Sequence, residues 1–297
     1  MALSSTHEIE VRASSRTLGT WLRDVRYWPV LFPPTISGET LRSDPSGDRI
    51  RLWAMANGTP ACWESERVHR VDGVSFRQAV PAPQLRSMAG RWEILDHRST
   101  ATVRLHHTWE LADGIDAELV RAAVEANSTA ELEALAGAAE RVVAMVEFSD
   151  SMKMSGDPAD ALRLLWDGAA WPELLEHVEE AQVHPIGPQA HLLTMVTGSV
   201  DGTRHRTESV RVLDGSVIRY KQLSHPDLLA GHAGTWTAAP AAQGCVVTSN
   251  HVVAVTARGV RMVGGADRVE AALRAQIGAN SRKTLNRVRE RLQSVQT

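Results

Sequence analysis

The chain has 297 residues, 43% hydrophobic and 23% charged, with 32 Lys and Arg against 35 Asp and Glu for a formal charge of −3. That balance argues against a nucleic-acid or anionic-membrane partner, and two cysteines, Cys62 and Cys245, exclude a disulfide scaffold and a cysteine-rich metal site. The longest apolar runs fall short of the ~18 residues of a membrane span, and MALSSTHEIEV lacks a basic stretch leading into an apolar core, so a cytoplasmic location is expected.

In chain order, alternating polarity predicts a first strand over residues 6–13. An amphipathic helix follows around Leu18, Trp21, Leu22 and Val25, expected to stop at Trp28-Pro29 because the residue before proline is pushed out of the helical region. Strands are expected at about 48–56, 61–71, 74–80, 90–96 and 99–110, with turns at Pro45–Asp48, Asn57-Gly58, Asp72-Gly73 and Asp113-Gly114. A long helix then carries Ile115, Leu119, Ala123, Leu132, Leu135, Val142 and Val146 at spacings of three to four or their multiples. The plan recurs with strands at 147–155, 190–198, 204–214, 216–224, 233–239 and 244–257. A closing helix carries Val269, Leu273, Ile277, Leu285, Val288, Leu292 and Val295. At about thirty residues each closing helix is roughly 45 Å long, enough to cross the concave face of a curved antiparallel sheet and leave a cavity between them.

The recurrence is a tandem duplication. Trp28 matches Trp171 at an offset of 143. Ser65–Val68 matches Ser209–Val212, Phe76-Arg77-Gln78 matches Tyr220-Lys221-Gln222, Gly90–Trp92 matches Gly234–Trp236, and His107 matches His251, all at 144. Ala126-Asn127-Ser128 matches Ala279-Asn280-Ser281 at 153, so the second copy carries about nine extra residues first. Repeated order at a nearly constant offset gives two domains, 1–146 and 147–297.

Three segments are similar to a known family: Trp28-Pro29-Val30-Leu31-Phe32, Cys62-Trp63-Glu64-Ser65-Glu66-Arg67-Val68 and Arg86-Ser87-Met88-Ala89-Gly90-Arg91-Trp92. With the duplication, they resemble the di-domain aromatase/cyclases of bacterial type II aromatic polyketide biosynthesis. That resemblance implies an α+β fold of two tandem helix-grip (START-like, Bet v 1-like) domains, each a curved antiparallel sheet around a long C-terminal helix with an interior cavity. It implies first-ring cyclisation, or the dehydration that aromatises that ring, on a ketoreduced poly-β-ketone tethered to an acyl carrier protein. The implied partners are that carrier and other synthase components such as a ketoreductase. No metal or organic cofactor is implied. The alternative is a non-catalytic helix-grip carrier or chaperone for a hydrophobic ligand. A scaffold for a larger synthase is a third, weaker idea, and homodimerisation is left open.

Trp63, Ser65 and Arg67 share one face of a strand, presenting a flat wall, a hydroxyl and a guanidinium. Arg67 suits an enolate or carbonyl oxygen and is a poor proton acceptor, while Ser65 suits a proton relay. A Ser and an Arg on the outer face of an antiparallel sheet is the competing reading. Ser209 and Arg211 repeat the pair. Trp28, Phe32 and Trp92 are candidate walls, as are Trp171 and Trp236, though packing alone would also explain them. Gln78, Asn127 and Asn280 are candidate polar contacts, and Met88 is placed in a mouth loop beside Pro81 and Pro83. In the second half Leu175 stands for Phe32 and Thr207 for Trp63, so the first half is expected to be the main chemical site. His107 and His251 recur, with a structural role favoured for both. No HExxH, P-loop or GxSxG occurs. The basic run from Arg282 to Arg291 reads as a solvated helix face or an attraction for an acidic carrier.

Overall fold

The computed structural model describes residues 2–56, 58–198 and 204–294, which leaves Asn57 of the second expected turn and Val295 of the closing helix outside the described residues. The chain divides into two compact units, one of residues 1–55 and 61–142, the other of residues 56–60 and 143–297.

The first unit opens with β1 (Leu3–Val11) and α1 (Ser15–Arg23). After a 3-10 turn comes α2 (Trp28–Leu31), then β2 (Thr35–Asp44), β3 (Gly47–Ala56), β4 (Thr59–Arg70), β5 (Gly73–Gln78), β6 (Leu85–His97), β7 (Thr100–Leu111) and α3 (Ala117–Arg141). The strands form an antiparallel sheet of order β1-β7-β6-β5-β4-β3-β2. On β7, Ala101, Val103, Leu105 and Trp109 are fully buried while their neighbours face outward, the period-two pattern of a half-buried strand. α3 packs on β1 and β7 through its inner stripe, which includes Ser128, Leu132, Leu135 and Ala138.

The second unit repeats the plan with β8 (Val142–Met154), α4 (Pro158–Trp166), α5 (Trp171–Leu174), β9 (Val178–Gly187) and β10 (Ala190–Gly198). It continues through β11 (Arg204–Asp214), β12 (Val217–Gln222), β13 (Leu229–Ala241) and β14 (Gly244–Thr256). The sheet order is β8-β14-β13-β12-β11-β10-β9. Its closing helical region is segmented: α6 (Ala257–Met262), a turn with Gly264 and Gly265 at φ 85° and 134°, α7 (Val269–Leu273), a π turn over Arg274–Gly278, and α8 (Ala279–Ser294). Only glycine adopts such positive φ values at little cost. Each unit is the helix-grip arrangement.

Several local expectations change. α1 ends at Asp24, whose carboxylate accepts from the Arg26 N–H, and Trp28 is itself helical because Pro29 sits in the first turn of α2; proline fits a first helical turn, where no N–H is needed. Val142 and Val146 belong to β8, not to the helix. The edge strands β2 and β9 escaped the sequence reading, for β2 is exposed along its second half and shows no alternation there. Met88 lies on β6, not in a loop, and is buried against Trp109 and Val124.

Candidate functional site

In the first unit the sequence-marked residues converge. Trp28 and Phe32 meet edge to face at 5.2 Å, and Phe32 lies 6.0 Å from Trp92. Trp63 packs with Trp28 on Val25, Ile50 and Leu52. Ser65 is buried opposite Gln78 in the β4–β5 register. Arg67 has a buried partner: its Nε donates to Asp48 Oδ1 at 2.7 Å and its Nη2 to Oδ2 at 2.5 Å. Nη1 and Nη2 also donate to the Leu22 and Arg23 carbonyls. Its charge is met and its donors are engaged, which ties β3, β4 and the end of α1 together. Asn127 stands exposed on α3, one position out of phase with the inward Ser128, and does not join the others.

The second unit contains a cavity of about 760 Å³, within the usual range for small-molecule sites. Trp171, Ser209, Arg211, Trp236 and Asn280 all line it. The segmented helical region supplies Val263, Val269, Leu273 and Ile277 to the same wall.

Arg211 differs from Arg67 in one decisive respect. The equivalent of Asp48 is His191, which lies opposite Arg211 in the β10–β11 register. His191 lies tilted against Trp166 with ring centres 4.1 Å apart, and burial followed by the Arg211 charge pulls it from 6.5 down to about 4. It is therefore neutral and compensates nothing. Arg211 is 2% exposed, with its guanidinium 5.4 Å from the Trp166 ring centre and 5.0 Å from that of Trp171. Its Nη2 donates to the Leu165 carbonyl at 2.6 Å, and its Nη1 has no partner among the described residues. Burial pulls this guanidinium from 12.5 down to about 9, so it stays cationic at neutral pH and lacks a counter-ion among the described residues.

Next to it in register stand Tyr220 on β12, Gly234 on β13 and His251 on β14. The Tyr220 hydroxyl is 2.9 Å from His251 Nδ1 and 3.4 Å from His232 Nε2, and the two imidazoles approach to 3.1 Å. His251 Nε2 lies 2.8 Å from Ser281 Oγ and 3.0 Å from Ser249 Oγ. Ser281 donates to the Ile277 carbonyl, so its oxygen accepts from His251 Nε2–H, which makes Nδ1 the acceptor for the phenol. Burial holds His232 near 3 and His251 near 4, both down from 6.5, and pushes the Tyr220 phenol well up. The cluster is thus neutral: two free bases beside a hydroxyl that keeps its proton. Gly234 makes room, since a Cβ there would sit 2.6 Å from the Tyr220 oxygen.

Sequence reasoning noted Tyr220 and His251 as matches and gave Tyr220 no role. It set His191 and His232 aside as scattered histidines and missed Ser249. The signal was present at the repeat offset of 144, where Phe76 answers Tyr220, Met88 answers His232 and Leu105 answers Ser249. In the first unit His107 meets the edge of Phe76 at 5.6 Å and Ser128 at 3.1 Å. Among the described residues no three His, Cys, Asp or Glu side chains gather as a metal site.

No family model matches the sequence. Two curated relatives match nearly end to end. The granaticin polyketide synthase bifunctional cyclase/dehydratase of Streptomyces violaceoruber is 34% identical, over 97% of this chain and 94% of that protein. The actinorhodin polyketide synthase bifunctional cyclase/dehydratase of Streptomyces coelicolor is 35% identical, over 94% and 93%. Among solved structures, the di-domain ARO/CYC BexL of the BE-7585A biosynthetic pathway is 30% identical with a TM-score of 0.78, covering 98% of each chain. The di-domain ARO/CYC StfQ of the steffimycin pathway, 23% identical with a TM-score of 0.75 over 98% of each chain, shares the fold. The chain belongs to the polyketide synthase bifunctional cyclase/dehydratases, and it is a polyketide aromatase/cyclase of the di-domain type.

Proposed function

We propose that the second unit's cavity is the chemical site, and that it removes water from a β-hydroxy ketone to complete the first aromatic ring of a ketoreduced poly-β-ketone. The observation that carries this is the contrast between repeats. Arg211, without a counter-ion among the described residues, stands beside Tyr220, His232 and His251, where the first unit has Arg67 paired with Asp48, then Phe76 and Met88.

Arg211 Nη1 donates to the ketone oxygen and stabilises the enolate formed when the α-proton leaves. The neutral His232–His251 pair takes that proton. The C–O bond breaks at the β-carbon, and the departing hydroxide takes the Tyr220 proton to leave as water. The imidazolium then returns a proton to the phenolate across the 2.9 Å and 3.4 Å contacts. One C–H and one C–O bond break, one C=C forms, and aromaticity drives the step. Ser209 lies beside Arg211 on the same strand face and orders the ketone.

The first unit, with Trp28, Phe32, Trp63 and Trp92 as walls and Gln78 and Ser65 between them, holds and shapes the chain before ring closure. This reverses the weighting expected from aromatic content. The domains are taken as 1–146 and 147–297, and the substrate arrives on an acyl carrier protein after a ketoreductase, in the cytoplasm. A direct assay uses 3-hydroxy-1-tetralone, which becomes fluorescent 1-naphthol on losing water. Wild type is expected to accelerate this reaction, and Tyr220→Phe and His232→Met to lower the rate about 100-fold. Equal rates for wild type and both variants would overturn the assignment.

A further inference from the structure

One face of the cavity offers polar groups that the dehydration does not use. Thr207 Oγ1 and Gln222 Oε1 are buried, line the cavity and have no hydrogen-bond partner among the described residues. A buried polar atom left unpaired is costly unless a ligand completes it. Their neighbour Ser224 is already engaged, accepting from the Glu208 N–H at 2.8 Å.

The register locates the pair. Gln222 lies opposite Ser209, and Tyr220 opposite Arg211. Thr207 is on the same face of β11 as Ser209 and Arg211. The Gln222 row is thus two strand residues, ~6.6 Å, along from the Arg211 row. The repeat explains the opening: Thr207 stands where the first unit has Trp63, which packs on Val25, Ile50 and Leu52. Exchange of an indole for a threonine removes bulk and leaves a hydroxyl.

We infer that Thr207 and Gln222 form a second oxygen-binding subsite, which takes a hydroxyl of the ligand while Arg211 holds its ketone. Gln222 offers both an acceptor and a donor, and Thr207 does the same, so a hydroxyl satisfies both where a hydrocarbon satisfies neither. The subsite makes the cavity selective for a ligand oxygenated at two separated positions, and it rests on the reading that this cavity is the substrate site.

Calorimetric titration of the full chain tests it with two stable ligands, 1-tetralone and 6-hydroxy-1-tetralone. The second adds a hydroxyl across the bicycle from the ketone, a span comparable to the ~6.6 Å between the two rows. Wild type is expected to bind the hydroxylated ligand about tenfold more tightly. Gln222→Leu and Thr207→Val are expected to bring that ratio close to one, with 1-tetralone affinity and the near-UV circular dichroism unchanged. A wild-type ratio of one with measurable 1-tetralone binding overturns the subsite and leaves the cavity reading standing. A ratio that survives both substitutions places the hydroxyl elsewhere and also overturns it. Binding of neither ligand to wild type overturns the cavity reading and this inference with it.

Discussion

His191→Asp transplants the first unit's counter-ion into the second. In the first unit the Asp48–Arg67 pair closes at 2.7 and 2.5 Å with side chains 4% and 1% exposed. Arg211 has no such partner, and its displacement from 12.5 to about 9 corresponds to roughly 5 kcal/mol of uncompensated burial. A carboxylate ~4 Å away contributes on the order of 4 kcal/mol of attraction at an effective dielectric of 20. Its own desolvation offsets part of that. A net gain of ~2 kcal/mol raises the melting temperature by about 4–8 °C. The same carboxylate neutralises the guanidinium that is proposed to hold the oxyanion, so turnover falls about 100-fold. Differential scanning calorimetry and the 1-naphthol assay read the two effects on one preparation. A His191→Asp protein that turns over within about threefold of wild type would refute the assignment of Arg211.

Other expectations follow from the same geometry. In the first unit, Asp48→Ala leaves Arg67 buried and unpaired and should cost ~3–5 kcal/mol in denaturant unfolding, whereas the double change Asp48→Asn with Arg67→Met should recover much of that loss and keep the 1-naphthol rate. Gly234→Ala sets a Cβ 2.0 Å from the Asn250 carbonyl oxygen and 2.6 Å from the Tyr220 hydroxyl, so the β13–β14 backbone must shift as well as the phenol, and both the melting temperature and the 1-naphthol rate should drop. The pH response has a definite sign. His232 and His251 titrate near 3 and 4 when folded and near 6.5 when unfolded, so the unfolded state binds more protons between those values. Stability should fall as pH drops from 6.5 toward 4, while the neutral bases keep activity flat across pH 6–8; a rate that declines below pH 7 with an apparent pKa near 6.5 would contradict it.

Much of the fold was legible because duplication doubles the evidence. Matches at 143 and 144 fixed equivalent strands, and the shift to 153 announced the extra residues that become α6 and its glycine turn. The edge strand β2 was not legible, since an edge half open to water needs no alternating pattern. Trp28-Pro29 misled because proline ends one helix and begins another equally well, and only tertiary context decides. At the site, shared residues drew the eye to Ser65/Arg67 and Ser209/Arg211. The chemistry we propose lies where the copies differ: Asp48 against His191, Phe76 against Tyr220, Met88 against His232. An arginine in a strand has the same local pattern whether it is salt-bridged or unpaired; its partner across the sheet tells them apart.

The most direct measurement of the central claim is product analysis of a reconstituted minimal polyketide synthase with its ketoreductase, supplied with wild type, Arg67→Met or Arg211→Met. The account expects the aromatic first-ring product from wild type and from folded Arg67→Met, and only non-aromatic shunt products from Arg211→Met. An aromatic product from Arg211→Met, with its loss in a folded Arg67→Met, would contradict the account and return the chemistry to the first unit.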